Sequence, residues 1–133
     1  MARFGNPGSG PGEFTTPHSV RVDARNRILV ADRENSRIQV FGRDGVYLDS
    51  WTGFYKPMDI AEDNDGMLYI SDQIPRVSQI DADGRLCGRA RPAWNVPHGL
   101  ACGINGEMFV IEMNPSSLTR LTPIGNLDEN PDD

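Results

Sequence analysis

The residues with the most chemical reach in this sequence are its two histidines, His18 in "PHSV" and His98 in "PHGL", standing 80 residues apart. A neutral imidazole offers a lone pair suited to a borderline cation such as Zn²⁺. A catalytic zinc keeps three protein ligands and one open position. Two imidazoles brought together would therefore supply part of such a set. A histidine after a proline can equally be a turn residue whose ring satisfies a nearby polar group. The two readings separate on whether the chain makes both positions equivalent.

It does, because the sequence repeats. "PHSV" begins at Pro17, "PMDI" at Pro57 and "PHGL" at Pro97, a period of 40 residues twice over. Each proline is followed by a turn residue (Asn26, Gly66 or Gly106), then by "ILVAD", "LYISD" or "MFVIE", closing on Asp32, Asp72 or Glu112. The runs "RIQVF", "RVSQI" and "LTRLT" follow, with turn glycines at Gly45, Gly84 and Gly125. The first unit reads as four strands, about Ser19–Asp23, Ile28–Asp32, Arg37–Phe41 and Tyr47–Trp51, separated by "DARN", "RENS" and "RDG". Short β-rich runs between turn signals predict antiparallel strands, and no window carries the 3.6-residue period of a helix. Four such strands per 40 residues describe a β-propeller blade, which leans on its neighbours for a core.

The expected architecture is all-β, a propeller with about three blades present. Residues 1–16 read as an inter-blade loop and the end of a preceding blade. Residues 17–56 and 57–96 read as blades, 97–125 as a partial blade and 126–133 as an acidic tail. Propellers close with about four to eight blades. Three leave two apolar faces open, which predicts self-association or completion by a missing half of the ring.

In a propeller, the loop entering each innermost strand and the loop between the second and third strands share one face. One mouth should therefore collect His18, Met58 and His98 from the first set, and Arg33, Gln73 and Met113 from the second. The acids Asp32, Asp72 and Glu112 lie close by in sequence. Since they recur in every unit, Asp32 reads as a loop anchor rather than a general base. "DNDG" at 63–66 and "DADG" at 81–84 read as hairpin turns; a calcium loop would need a glutamate where Ile74 stands. Trp51, Phe54, Tyr55 and Trp94 read as plugs between blades, and Cys87 and Cys102 as two buried thiols.

The bulk numbers narrow the partners. At 38% hydrophobic and 24% charged residues the chain is globular rather than disordered. A net charge of -6 without a cluster of Lys and Arg excludes nucleic-acid and membrane surfaces. No signal-like segment opens the 133-residue sequence, which predicts a cytoplasmic chain, or a secreted one if an upstream segment precedes it.

The unit containing "ADRENSRIQVF" resembles the NHL repeat, which implies four-stranded blades and half of a six-bladed ring. More narrowly, "PGEFTTPHSV" followed by "ILVADRENSRIQVF" is similar to the peptidyl-α-hydroxyglycine α-amidating lyases, which release glyoxylate and leave a peptide amide. That resemblance implies zinc held by histidines on alternate blades, matched here by His18 and His98, and a structural calcium in the channel. It also implies that Arg33 faces a peptide or small carboxylate ligand. A further zinc histidine and the tyrosine base of that family belong to an upstream blade, and Tyr47, Tyr55 and Tyr69 do not match the tyrosine. Val96 replaces a family methionine, and Gly99 replaces an aspartate that helps bind calcium. The expected zinc site is thus incomplete within this sequence. The other readings left open are a non-catalytic ligand- or protein-binding module and an inactive fragment.

Overall fold

The computed structural model describes residues 1–91 and 95–123. Its strands are β1 (Asn6–Pro7), β2 (Glu13–Phe14), β3 (Pro17–Val22), β4 (Ile28–Asp32), β5 (Arg37–Phe41), β6 (Tyr47–Trp51) and β7 (Asp59–Glu62). These are followed by β8 (Leu68–Asp72), β9 (Arg76–Ile80), β10 (Leu86–Ala90), β11 (Pro97–Cys102), β12 (Met108–Met113) and β13 (Ser116–Leu121). A single 3₁₀ turn, Arg33–Asn35, joins β4 to β5.

β3 to β6 make one four-stranded sheet in chain order, β7 to β10 a second, and β11 to β13 a three-stranded third. Within each, every neighbouring pair is antiparallel. These are the blades expected from the repeat, and the fold is an all-β propeller type. The strands Ile28–Asp32, Arg37–Phe41 and Tyr47–Trp51 run as read from the sequence; the inner strand starts two residues earlier, at Pro17.

Turn chemistry sets these boundaries. The Asp23 carboxylate accepts the N–H groups of Arg25 and Arg27, and Asp63 accepts those of Asp65 and Met67. Such side-chain bonds fold the chain back locally. Asn26 at φ 62° and Gly66 at φ 79° complete the reversal, in the left-handed region that Asn and Gly tolerate. "DNDG" and "DADG" are hairpin turns, closed by Gly66 N–H to Asp63 O and Gly84 N–H to Asp81 O.

The core lies between blades. Leu29, Ala31, Ile38 and Val40 of the first meet Ile60, Leu68, Ile70 and Ile80 of the second, with Trp51 and Phe54 buried beside them. Between the second and third blades, Val77 and Val110 pack with half-buried Tyr69, Leu100, Met108 and Leu121. The N-terminal segment folds onto the other face of the first blade. There β1 and β2 pair in parallel, and Phe4 and Phe14 flank Phe41 at ring-centre distances of 5.9 and 5.7 Å. Among the described residues the rest of that face stays open, with Val20 67% exposed. So does the far face of the third blade, where Leu118 is 67% exposed.

Two expectations are corrected. The cysteines are not a pair of buried thiols. Cys87 lies exposed on an outer strand and Cys102 is only half-buried; both are free. Tyr55 is not a plug: its backbone N–H is anchored to Asp72 while the ring stays 48% exposed beneath the Lys56 ammonium. Trp94, Gly125 and the tail at 126–133 lie outside the described residues.

Candidate metal and carboxylate site

A small irregularity directs the histidines. Pro17 pairs with Asp32 and Ser19 with Ala31, so His18 is an extra residue between two successive rungs of the ladder. Pro97 pairs with Glu112 and Gly99 with Ile111, so His98 is extra in the same way. A β-bulge bends its strand and re-aims the side chain it carries. The two rings meet with centres 4.7 Å apart and planes at 73°. An edge-to-face pair takes this geometry. So do two imidazoles whose nitrogens lie about 2.0–2.1 Å from one zinc, with ring centres roughly 5 Å apart.

The ring of His18 is oriented. Its Nδ1 lies 2.7 Å from the carbonyl oxygen of Met58. A carbonyl only accepts, so Nδ1 carries the proton and Nε2 the lone pair. This is the arrangement by which outer partners fix the tautomer of a metal-binding histidine. Burial, and then the neighbouring His18 ring, push the His98 imidazole below its ordinary value, which favours its neutral form.

Asp59 fixes the spacing of the inner strands. Its Oδ1 accepts the Ser19 hydroxyl at 2.7 Å, and its Oδ2 accepts the Leu100 N–H at 2.8 Å. One carboxylate on β7 thereby ties β3 to β11. Sequence reasoning missed this residue, although the repeat carried a signal: the position after His18, Met58 and His98 is Ser19, Asp59 and Gly99, with one acid among the three.

Arg33 projects from the 3₁₀ turn into a cavity of about 370 Å³ that it shares with Met58, Gln73, Val96, His98 and Met113. Its Nε donates to Glu34 at 3.0 Å, and Lys56 braces the far oxygen of Glu34 at 3.3 Å. Arg33, Gln73, Met113 and His98 therefore share one mouth, as expected. His18 joins through its contact with His98 and lines a neighbouring cavity of about 210 Å³ with Pro17, Ser19, Val20 and Val30.

Asp32 and Asp72 do not face the mouth. Both are fully buried, and each holds the loop that enters its own blade. Asp32 accepts the Thr15 N–H at 2.8 Å and the Arg37 Nε at 2.9 Å. Asp72 accepts the Tyr55 N–H at 3.1 Å and the Arg76 Nε at 2.9 Å. Glu112 accepts the Asn95 N–H at 2.7 Å, with Ser117 where the arginine stood. Among the described residues no three His, Cys, Asp or Glu side chains are grouped to hold a metal. The two imidazoles suit zinc in type and fall short of a full set in number.

Comparison with known proteins agrees with the blades. Residues 14–41 match the NHL repeat model. Human NHL repeat-containing protein 3 is 40% identical over 74 residues, 53% of this chain and 21% of its own length. Peptidyl-glycine alpha-amidating monooxygenase B of Xenopus laevis is 25% identical over 130 residues, 85% of this chain and 15% of its own length. The chain thus spans about a fifth or less of these two relatives. Among solved structures, virginiamycin B lyase from Staphylococcus aureus superposes with a TM-score of 0.70 at 19% identity, over 91% of this chain and 40% of the other, a likeness of fold alone. The chain carries an NHL repeat within a run of β-propeller blades.

Proposed function

We propose that the mouth lined by His18, His98 and Arg33 is one side of a zinc-assisted lyase site, of the kind that cleaves a peptidyl-α-hydroxyglycine into a peptide amide and glyoxylate. The observation carrying this proposal is the convergence of two bulge-borne imidazoles from alternate blades, one with its tautomer set and one favoured neutral. The sequence similarity to the frog amidating protein is in keeping with it.

His18, through Nε2, and His98 would hold the ion, with further ligands from outside the described residues. Bound zinc would act as a Lewis acid and lower the pKa of a coordinated hydroxyl. Arg33 supplies the carboxylate partner. Only its Nε is engaged among the described residues, which leaves the forked end of the guanidinium for a bidentate pair. That charge also steadies negative charge developing on the hydroxyl oxygen as its proton is removed, before the C–N bond breaks and the amide nitrogen leaves. No residue of this mouth is assigned as the base. Calcium has no part in the proposal, because Gly99 offers no side-chain oxygen and both oxygens of Asp59 are taken.

The test is metal content. Protein purified without chelators should retain zinc below one equivalent, and either His18→Ala or His98→Ala should remove it. Zinc at background in the unmodified chain, or retained equally by both variants, would sink the proposal. Arg33→Met should keep the metal and weaken binding of a hydroxy-acid ligand about tenfold, as expected for loss of a charge-assisted pair.

A further inference from the structure

The two inter-blade spaces are built from equivalent residues but filled differently. Between the first and second blades, Leu29, Ile38 and Val40 face Leu68 and Ile80, and the Trp51 indole fills the gap among them. Trp51 is 6% exposed; its Nε1 donates to Asp49 at 3.1 Å, and the Arg27 guanidinium lies 5.5 Å from its ring centre.

Strand register identifies the counterparts one blade on. Trp51 pairs with Ile38, and Ala90 pairs with Val77; Asp49 pairs with Val40, and Gly88 with Gln79. Alanine and glycine thus stand where the indole and its acceptor stood. A cavity of about 310 Å³ opens there, lined by Tyr69, Val77, Gln79, Ala90, Met108 and Leu121. These are the counterparts, in order, of Leu29, Ile38, Val40, Trp51, Leu68 and Ile80. The cavity lies among β8, β9, β10, β12 and β13; of these only β12 also reaches the histidine mouth, at its opposite end through Met113.

A polar group remains inside. Gln79 Nε2 donates to the Tyr69 hydroxyl at 3.0 Å, and that hydroxyl donates to Asp63 at 2.8 Å. The Oε1 of Gln79 has no donor among the described residues. The guanidinium of Arg89 is engaged elsewhere, by the Ser78 hydroxyl and the Gly53 carbonyl. Arg89 nonetheless lines the same space, and its Nη1 has no acceptor among the described residues, so the slot is apolar with one amide acceptor and an arginine at its edge. Apolar cavities half this size take up single aromatic rings, and about 300 Å³ is the lower end of small-ligand pockets.

We infer that this slot binds a small neutral bicyclic aromatic with one N–H donor, an indole-class molecule, in the position that Trp51 fills one blade earlier. Its ring lies between Val77 and Met108, and its N–H donates to Gln79 Oε1. Apolar burial supplies affinity, and the single hydrogen bond supplies the preference for a nitrogen heterocycle.

The probes are indole itself and indene, its isostere without the N–H, titrated into the full chain by protein-observed NMR. Indole should saturate, shift signals of Val77, Ala90 and Met108, and bind about three- to tenfold more tightly than indene. Ala90→Trp should abolish binding of both, and Gln79→Leu should erase the preference while leaving indene unchanged. Absence of saturable binding, or indole binding that survives Ala90→Trp, overturns the inference. If Ala90→Trp fails to fold, the Gln79→Leu comparison decides, and a preference left intact overturns it.

Discussion

At the scale of single residues, the determining event is an extra residue in a strand. The bulges at His18 and His98 take both rings out of the alternation that would send one face of a strand to each side. Residue types and their 80-residue spacing were legible, because a repeat of 40 places every second blade in register. The bulges were not legible: the pattern gives a side chain its blade, whereas its aim depends on one ladder rung. Asp59 escaped notice for a related reason, since an acid beside a turn looks solvated until three blades close around it. Acid should reveal the state of His98. Its folded-state pKa lies below the ordinary 6.5, and burial is the largest cause. The unfolded chain therefore takes up a proton first as pH falls through that value. Stability is unaffected by this group above pH 6.5 and declines below it until the folded value is reached. Thermal melts from pH 8 to 5 should show a shallower acid decline for His98→Asn than for the parent. Superposable profiles would place the imidazole in water.

At the scale of the element, the first two blades are each held to their approach loops by a buried acid. Asp72 illustrates the effect, fully buried against Arg76 and the Tyr55 N–H. Removing the charge leaves the guanidinium without its partner. Asp72→Asn should therefore cost about 3–5 kcal/mol, read as a loss of denaturation midpoint at unchanged slope. A cost under 1 kcal/mol would mean that water had replaced the pair. Trp51→Ala should cost a similar amount, about 3–5 kcal/mol, by opening between the first two blades the kind of void already present between the next two. Gly84 reinforces that packing. Its φ is +84°, and a Cβ there would lie 2.5 Å from the indole, so Gly84→Ala should destabilise through both strain and collision. Strand boundaries could be read in advance because Asp, Asn and Gly punctuate them. The fate of the aromatics could not: Phe54 and Tyr55 are sequence neighbours, yet one plugs the core and the other shades a lysine.

At the scale of the molecule, two apolar faces have no neighbour among the described residues, one around Val20 and Val22, the other around Ile111 and Leu118. They correspond to the two sides of an inter-blade contact. Two copies can therefore meet head to tail at both faces and close a six-bladed ring around a two-fold axis. Light scattering should give a mass about twice that of one chain, and Val20→Asp or Leu118→Asp should return it to one. A parent that stays monomeric at high concentration would contradict this pairing.

The buried acids also say where one repeat physically stops. Asp32 reaches back to Thr15, and Arg37 further, to the carbonyls of Ser9, Gly10 and Glu13. Asp72 and Arg76 hold Tyr55 and Gly53 in the same manner. A cassette excised at the prolines would leave its own latch behind. Scissors set some eight residues earlier would carry the latch along, so that is where a builder of hybrid rings should cut.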